Sequence, residues 1–165
     1  MAPNWTPVAV VALLFIAAAP AAAAQRAAPT AVTGGQAFGI EAVGGTVGSA
    51  LGIAIGLAVA KPNDCPSDDD VACTLQKLGI AGIIGVGGAT VGTAVAGRWA
   101  GTEPSLIGAF VGAAAGAAVG IGLEHFITEE MDQSLGDTAT VVLFSLTQGI
   151  LAAAGSRLVA SLRRD

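Results

Sequence analysis

Few residues in this chain could do chemistry, and they fall at the ends of, or inside, long apolar stretches. The only two cysteines bracket the segment Cys65-Pro66-Ser67-Asp68-Asp69-Asp70-Val71-Ala72-Cys73. In an exported protein this spacing predicts a disulfide closing a nine-residue loop, contributing about 2–3 kcal/mol by the chain-entropy argument. A metal centre would want more soft ligands than these two, and no metal ligand set is predicted. The single histidine, His125, has Glu124 beside it and Glu129 one helical turn on. Those three admit a weak cation site, or simply a polar helix end at a membrane boundary. Asp68, Asp69 and Asp70 could attract calcium, but without a ligand geometry such a run reads as a solvated turn. No nucleophile–base pair or phosphate loop is present, and Gly85-Val86-Gly87-Gly88 lacks the strand–helix context of a dinucleotide fingerprint. No cofactor and no enzymatic activity are expected.

The elements that must carry these residues are unusual. The chain has 165 residues, 53% hydrophobic and 12% charged, with 24 glycines and no tyrosine. Ordinary soluble domains are about 25% charged. A chain this poor in charge cannot cover a soluble globule, and its small side chains cannot fill a conventional core. The net charge of −5, with no basic patch to neutralise phosphates, argues against nucleic acid as a partner. The lipid bilayer is the expected partner.

Glycine recurs at every fourth position in Gly44, Gly48, Gly52 and Gly56, and again in Gly108, Gly112, Gly116 and Gly120. Four-residue spacing puts each run on one helical face, making a groove free of side chains. A second helix can then approach to backbone contact, which is how helices pack where lipid offers no hydrophobic drive. Outside lipid each interior glycine would cost about 1 kcal/mol relative to alanine, with few bulky side chains to offset it. A shift of 64 residues superposes the two runs and maps Val47 onto Val111, Ala50 onto Ala114 and Ala54 onto Ala118. The chain therefore predicts an all-α, membrane-embedded bundle of four Gly/Ala-rich helices, arranged as two tandem helical hairpins from an internal repeat.

The segments are expected at about 38–60, 78–97, 105–127 and 138–154, giving hairpins 38–97 and 105–154. Their 23-residue members reach about 34 Å, enough for a bilayer core. A polar tail, 155–165, follows within or beyond the domain 38–162. Ahead of it, residues 1–24 read as a cleavable signal, with an apolar run from Val8 to Ala19 and small residues at Ala22-Ala23-Ala24. Residues 25–37 read as a flexible leader. Within the spans lie the polar residues Glu41, Thr46, Ser49, Thr90, Thr93, Ser145, Thr147 and Gln148. Ionisable groups in membrane are functional candidates by default. Glu41 lies near enough to a helix end to reach the interface, the hydroxyls are expected to join helices, and Gln148, mid-segment, must find a partner.

The charges divide by side. Nine acids against two lysines leave −7 on the hairpin tips, and five arginines against three acids leave +2 on the other side. Positive-inside logic puts the termini in the cytoplasm, whereas a cleaved signal puts them outside. Full export and insertion into the thinner outer membrane reconciles the two, so the outer membrane is favoured over the inner.

At Gly44/48/52/56 and Gly108/112/116/120 the chain resembles the glycine-zipper proteins of bacterial envelopes. The resemblance covers most of residues 39–122, but no lipidated cysteine follows the signal as in the lipoprotein members. It implies a non-catalytic role in envelope organisation or integrity, with helices packing within a subunit or in a homo-oligomer. Two other functions remain open: a channel or membrane-perturbing assembly with polar seams at Thr90, Thr93 or Gln148, and a module docking a protein partner through the acidic, disulfide-closed loop.

Overall fold

The computed structural model describes residues 32–59, 71–130 and 137–163 of the chain. They form four helices: α1 (Gly34–Val59), α2 (Val71–Trp99), α3 (Leu106–Glu130) and α4 (Asp137–Leu162). Among the described residues there is no strand. Each helix is long and apolar enough to cross a membrane. The signal segment, most of the leader, Cys65 and residues 60–70 and 131–136 of the hairpin tips lie outside the described residues, as does the side chain of Cys73 in the first turn of α2. The disulfide expectation therefore falls outside them too.

The helices outrun the sequence expectation, for local reasons. Helix α1 begins at Gly34 rather than Phe38 because Thr33-Gly34-Gly35-Gln36 forms a capping box. The Thr33 N–H donates to Gln36 Oε1 at 3.0 Å and the Gln36 N–H donates to Thr33 Oγ1 at 3.4 Å. The last four residues of the expected leader are thus helical. Helix α2 closes in a Schellman turn: the Gly101 N–H donates to the Arg98 carbonyl at 3.1 Å and the Thr102 N–H to the Gly97 carbonyl at 2.9 Å. Gly101 takes the required left-handed conformation, with φ of 73°. Ser105 then caps α3, its hydroxyl accepting from the Gly108 N–H at 3.2 Å. Helix α4 does not stop near Ala154; it runs on to Leu162, so most of the expected polar tail is helix. Alanine, leucine and arginine there are good helix formers, and no proline or C-terminal glycine cap intervenes.

Packing follows the glycines. A side-chain carbon at Gly48 would strike the Gly88 carbonyl oxygen, and one at Gly88 would strike that of Gly48. Gly44 meets Gly92 and Ala96, Gly52 meets Ile84 and Gly85, and Gly56 meets Ala81, so α1 lies along α2 at backbone contact. In the second hairpin Gly108 meets Gly155, Gly112 meets Leu151, and Gly116 meets Thr147 and Gln148. Sixty-four residues separate Gly44 from Gly108, but sixty-three separate their partners, Gly92 from Gly155. The same sixty-three separates Gly88 from Leu151 and Ala81 from Phe144, which faces Gly120. A comparison fixed at 64 therefore misses the correspondence between α2 and α4 by one residue. The hairpins join where Gly45 and Thr46 of α1 press on Gly149 of α4.

The interior holds small and polar groups: Ala89, Ala109, Ala113, Ala152 and Ala153 are fully buried, beside Ser49, Thr93, Gln148 and Ser156. Large side chains point outward instead, among them Ile83, Ile107, Phe110, Val111, Ile121 and Leu158. This inverts the distribution of a water-soluble bundle. It suits a hydrocarbon solvent, in which large apolar groups gain nothing by turning inward.

Candidate functional site

Among the described residues the most fully buried ionisable group is Glu41, 1% exposed on the first turns of α1. Its carboxylate accepts from Arg157 Nε at 2.9 Å on Oε2 and from Arg157 Nη2 at 3.4 Å on Oε1. Thr102 Oγ1 donates to Oε1 at 2.6 Å and lies 2.9 Å from the Gly97 carbonyl oxygen. Three elements converge on one carboxylate: α1, the loop joining the hairpins, and the end of α4. Gly97 makes the approach passable, since a side-chain carbon there would stand 2.9 Å from Thr102 Oγ1 and 3.0 Å from Glu41 Oε1.

The arrangement depends on details already described. The Schellman turn aims Thr102 back over α2, and the continuation of α4 past Ala154 brings Arg157 to the depth of Glu41. Beside them the Ser105 N–H donates to Ser156 Oγ at 3.0 Å, both residues buried. An open depression of about 940 Å³ lies above the cluster, bounded by Ala37, Glu41, Thr102, Glu103, Ser156 and Arg157. Arg157, with its side chain 32% exposed, forms part of its wall. Exposed Arg98 and Trp99 mark the same end of the bundle, a pairing typical of a membrane interface.

A second polar group sits deeper. Ser49 Oγ donates to Gln148 Oε1 at 2.6 Å, joining α1 to α4. Gln148 thus finds the partner its mid-segment position demands, though its amide nitrogen finds none, and neither does the hydroxyl of fully buried Thr93. Thr90 does something different: half-buried, it donates to the Val86 carbonyl of its own helix at 2.8 Å.

Of the residues singled out in the sequence, the structure gathers Glu41, Thr93 and Gln148 with Ser49 in the interior and leaves Thr90 aside. The glycines of both runs line hairpin contacts, and their counterparts Gly85, Gly88, Gly92, Gly149 and Gly155 were not foreseen. Arg157 and Thr102 were also missed; the signal that could have found Arg157 is that a buried acid demands a base at its own depth. His125 is exposed beside half-buried Glu124, while the Glu129 side chain and Asp68–Asp70 lie outside the described residues. Among the described residues no group of His, Cys, Asp or Glu could hold a metal ion. Comparison with protein-family models, with curated proteins and with solved structures finds no match to this chain.

Proposed function

We propose that this is a non-enzymatic integral membrane protein of the bacterial cell envelope. In this reading its two glycine runs act as zippers that hold two hairpins in a compact bundle, and its role is envelope organisation or integrity. The observation that carries the reading is the inverted interior: backbones meet at Gly48 and Gly88 and at Gly108 and Gly155, while Ile83, Phe110 and Val111 point outward. Lipid is the solvent in which that distribution has low free energy. The resemblance to envelope glycine-zipper proteins and the opposition between signal and charge bias favour the outer membrane.

The test is density-gradient separation of inner and outer membranes from native cells, followed by immunoblotting. Recovery with the outer membrane supports the envelope-membrane part of the proposal. Recovery with the inner membrane removes the outer-membrane assignment, and recovery in the soluble fraction removes the whole reading.

A further inference from the structure

The depression above Glu41 is walled by polar groups that the fold uses only in part. Arg157 commits Nε and Nη2 to Glu41. Its Nη1 has no acceptor among the described residues and lies toward Gly34 in the wall, where a side-chain carbon would stand 4.0 Å from it. Glu103 lines the same depression, is exposed, and pairs with no described residue. Glu103, Pro104 and Ala160 also border an adjoining hollow of about 230 Å³ that holds Arg163, likewise unpaired. Ser161, in the wall of the larger space, donates its hydroxyl to the Leu158 carbonyl at 2.8 Å and keeps its oxygen lone pairs for an outside donor.

The charges of this wall cancel. Glu41 neutralises Arg157, and Glu103 balances Arg163, so neither a simple anion nor a simple cation is strongly favoured. What remains is a free guanidinium edge and a free carboxylate facing one open space of about 940 Å³, a size that small ligands occupy. That suits a group carrying both signs: an oxyanion for the guanidinium and an ammonium for the carboxylate. A quaternary ammonium has no N–H to give and is held by aromatic faces. None of the residues lining the depression is aromatic, so the ammonium it suits is a primary one. The surroundings favour a lipid as the source. Exposed Arg98 and Trp99 mark this end as interface level. Leu158 and Leu162, next to Arg157 and Ser161 on α4, are exposed and offer apolar surface to acyl chains.

We propose that the depression binds the headgroup of a phosphoethanolamine lipid, with its phosphate on Arg157 Nη1 and its ammonium on Glu103. The Glu41–Arg157 pair then has a second use: Glu41 holds the guanidinium in place and cancels its charge, so that binding depends on both ends of the headgroup. This inference rests on the reading that the bundle lies in a bilayer.

The test is native mass spectrometry of the full chain released from detergent micelles that hold equal amounts of dioleoyl phosphatidylethanolamine, phosphatidylcholine and phosphatidylglycerol. The first lipid is expected to stay bound in about tenfold excess over each of the others, the effect of one charge-assisted hydrogen bond. Glu103→Gln, at an exposed side chain, is expected to remove that excess, and so is Ser161→Trp, which fills the depression; circular dichroism of both variants is expected to match the unaltered protein. Equal retention of the three lipids overturns the proposal, as does a preference for phosphatidylglycerol or an excess that survives both substitutions. Free phosphoethanolamine at the lipid's concentration is expected to displace nothing, and displacement overturns the assignment to a lipid. Recovery in the soluble fraction on membrane separation fails the bilayer reading itself, whereas lost selectivity in a protein that separates with membranes fails this proposal alone.

Discussion

The ion pair between Glu41 and Arg157 makes an asymmetric prediction. Glu41 is 1% exposed and accepts from Arg157 twice and from Thr102 once, whereas the Arg157 side chain keeps 32% of its surface exposed. Arg157→Met keeps the aliphatic stem but leaves a buried carboxylate with one hydroxyl donor. Breaking a buried pair from one side typically costs about 3–5 kcal/mol, and partial exposure of the arginine lowers that to about 3 kcal/mol here. Glu41→Gln keeps the shape and an acceptor for Thr102, and the guanidinium left behind can turn to the open depression. That change should cost only about 1–2 kcal/mol. The double variant Glu41→Gln/Arg157→Met contains no uncompensated charge and should recover most of the loss seen in Arg157→Met alone. The assay is reversible unfolding of the reconstituted protein by titration into a denaturing detergent, followed by circular dichroism, across all four members of the cycle. Equal losses in the two single variants that sum in the double variant would refute the reasoning, because they would mean the carboxylate is not held in the bundle by Arg157.

The hairpin contacts predict a contrast between glycines. Gly48→Leu and Gly112→Leu each put a side chain into a neighbouring carbonyl and should lower stability by about 3 kcal/mol or more, read as a fall in Tm in detergent. Gly87→Leu meets nothing within 4 Å and should leave stability unchanged or raise it by up to about 1 kcal/mol through helix propensity. Ser156→Ala leaves the buried Ser105 N–H without its acceptor and should cost about 1–3 kcal/mol, with faster amide exchange at Ser105 as the local readout.

Four apolar segments with glycine every fourth residue leave few options, because a period of four fixes one helical face and small residues on that face fix close approach. Thus the helical class, the number of helices and the two grooves around Gly48 and Gly112 were all legible. The buried depth of Gln148 was legible as well, since a mid-span position admits no water from the side. Helix ends were less so: capping by Thr33 and Ser105 is visible in the residue types, but the run of α4 past Ala154 depended on the absence of a stop signal in a polar stretch.

The two hairpin pairings were legible, but the register within them and the contacts between them were decided by tertiary structure alone. Which faces meet depends on the register of one helix along another, and a slip of one residue turns each helix by about 100° relative to its neighbour's contacts. In the contacts, α2 and α4 correspond at an offset of sixty-three while α1 and α3 correspond at sixty-four, so Gly88 and Leu151 stand at equivalent places. The pairing of Glu41 with Arg157 spans 116 positions and needs α1, the 100–105 turn and the last turns of α4 to end at one depth. The chain by itself determined that these residues would lie in helices suited to lipid. Only the packed bundle decided that a carboxylate, a threonine and an arginine from three separate elements would share one buried site.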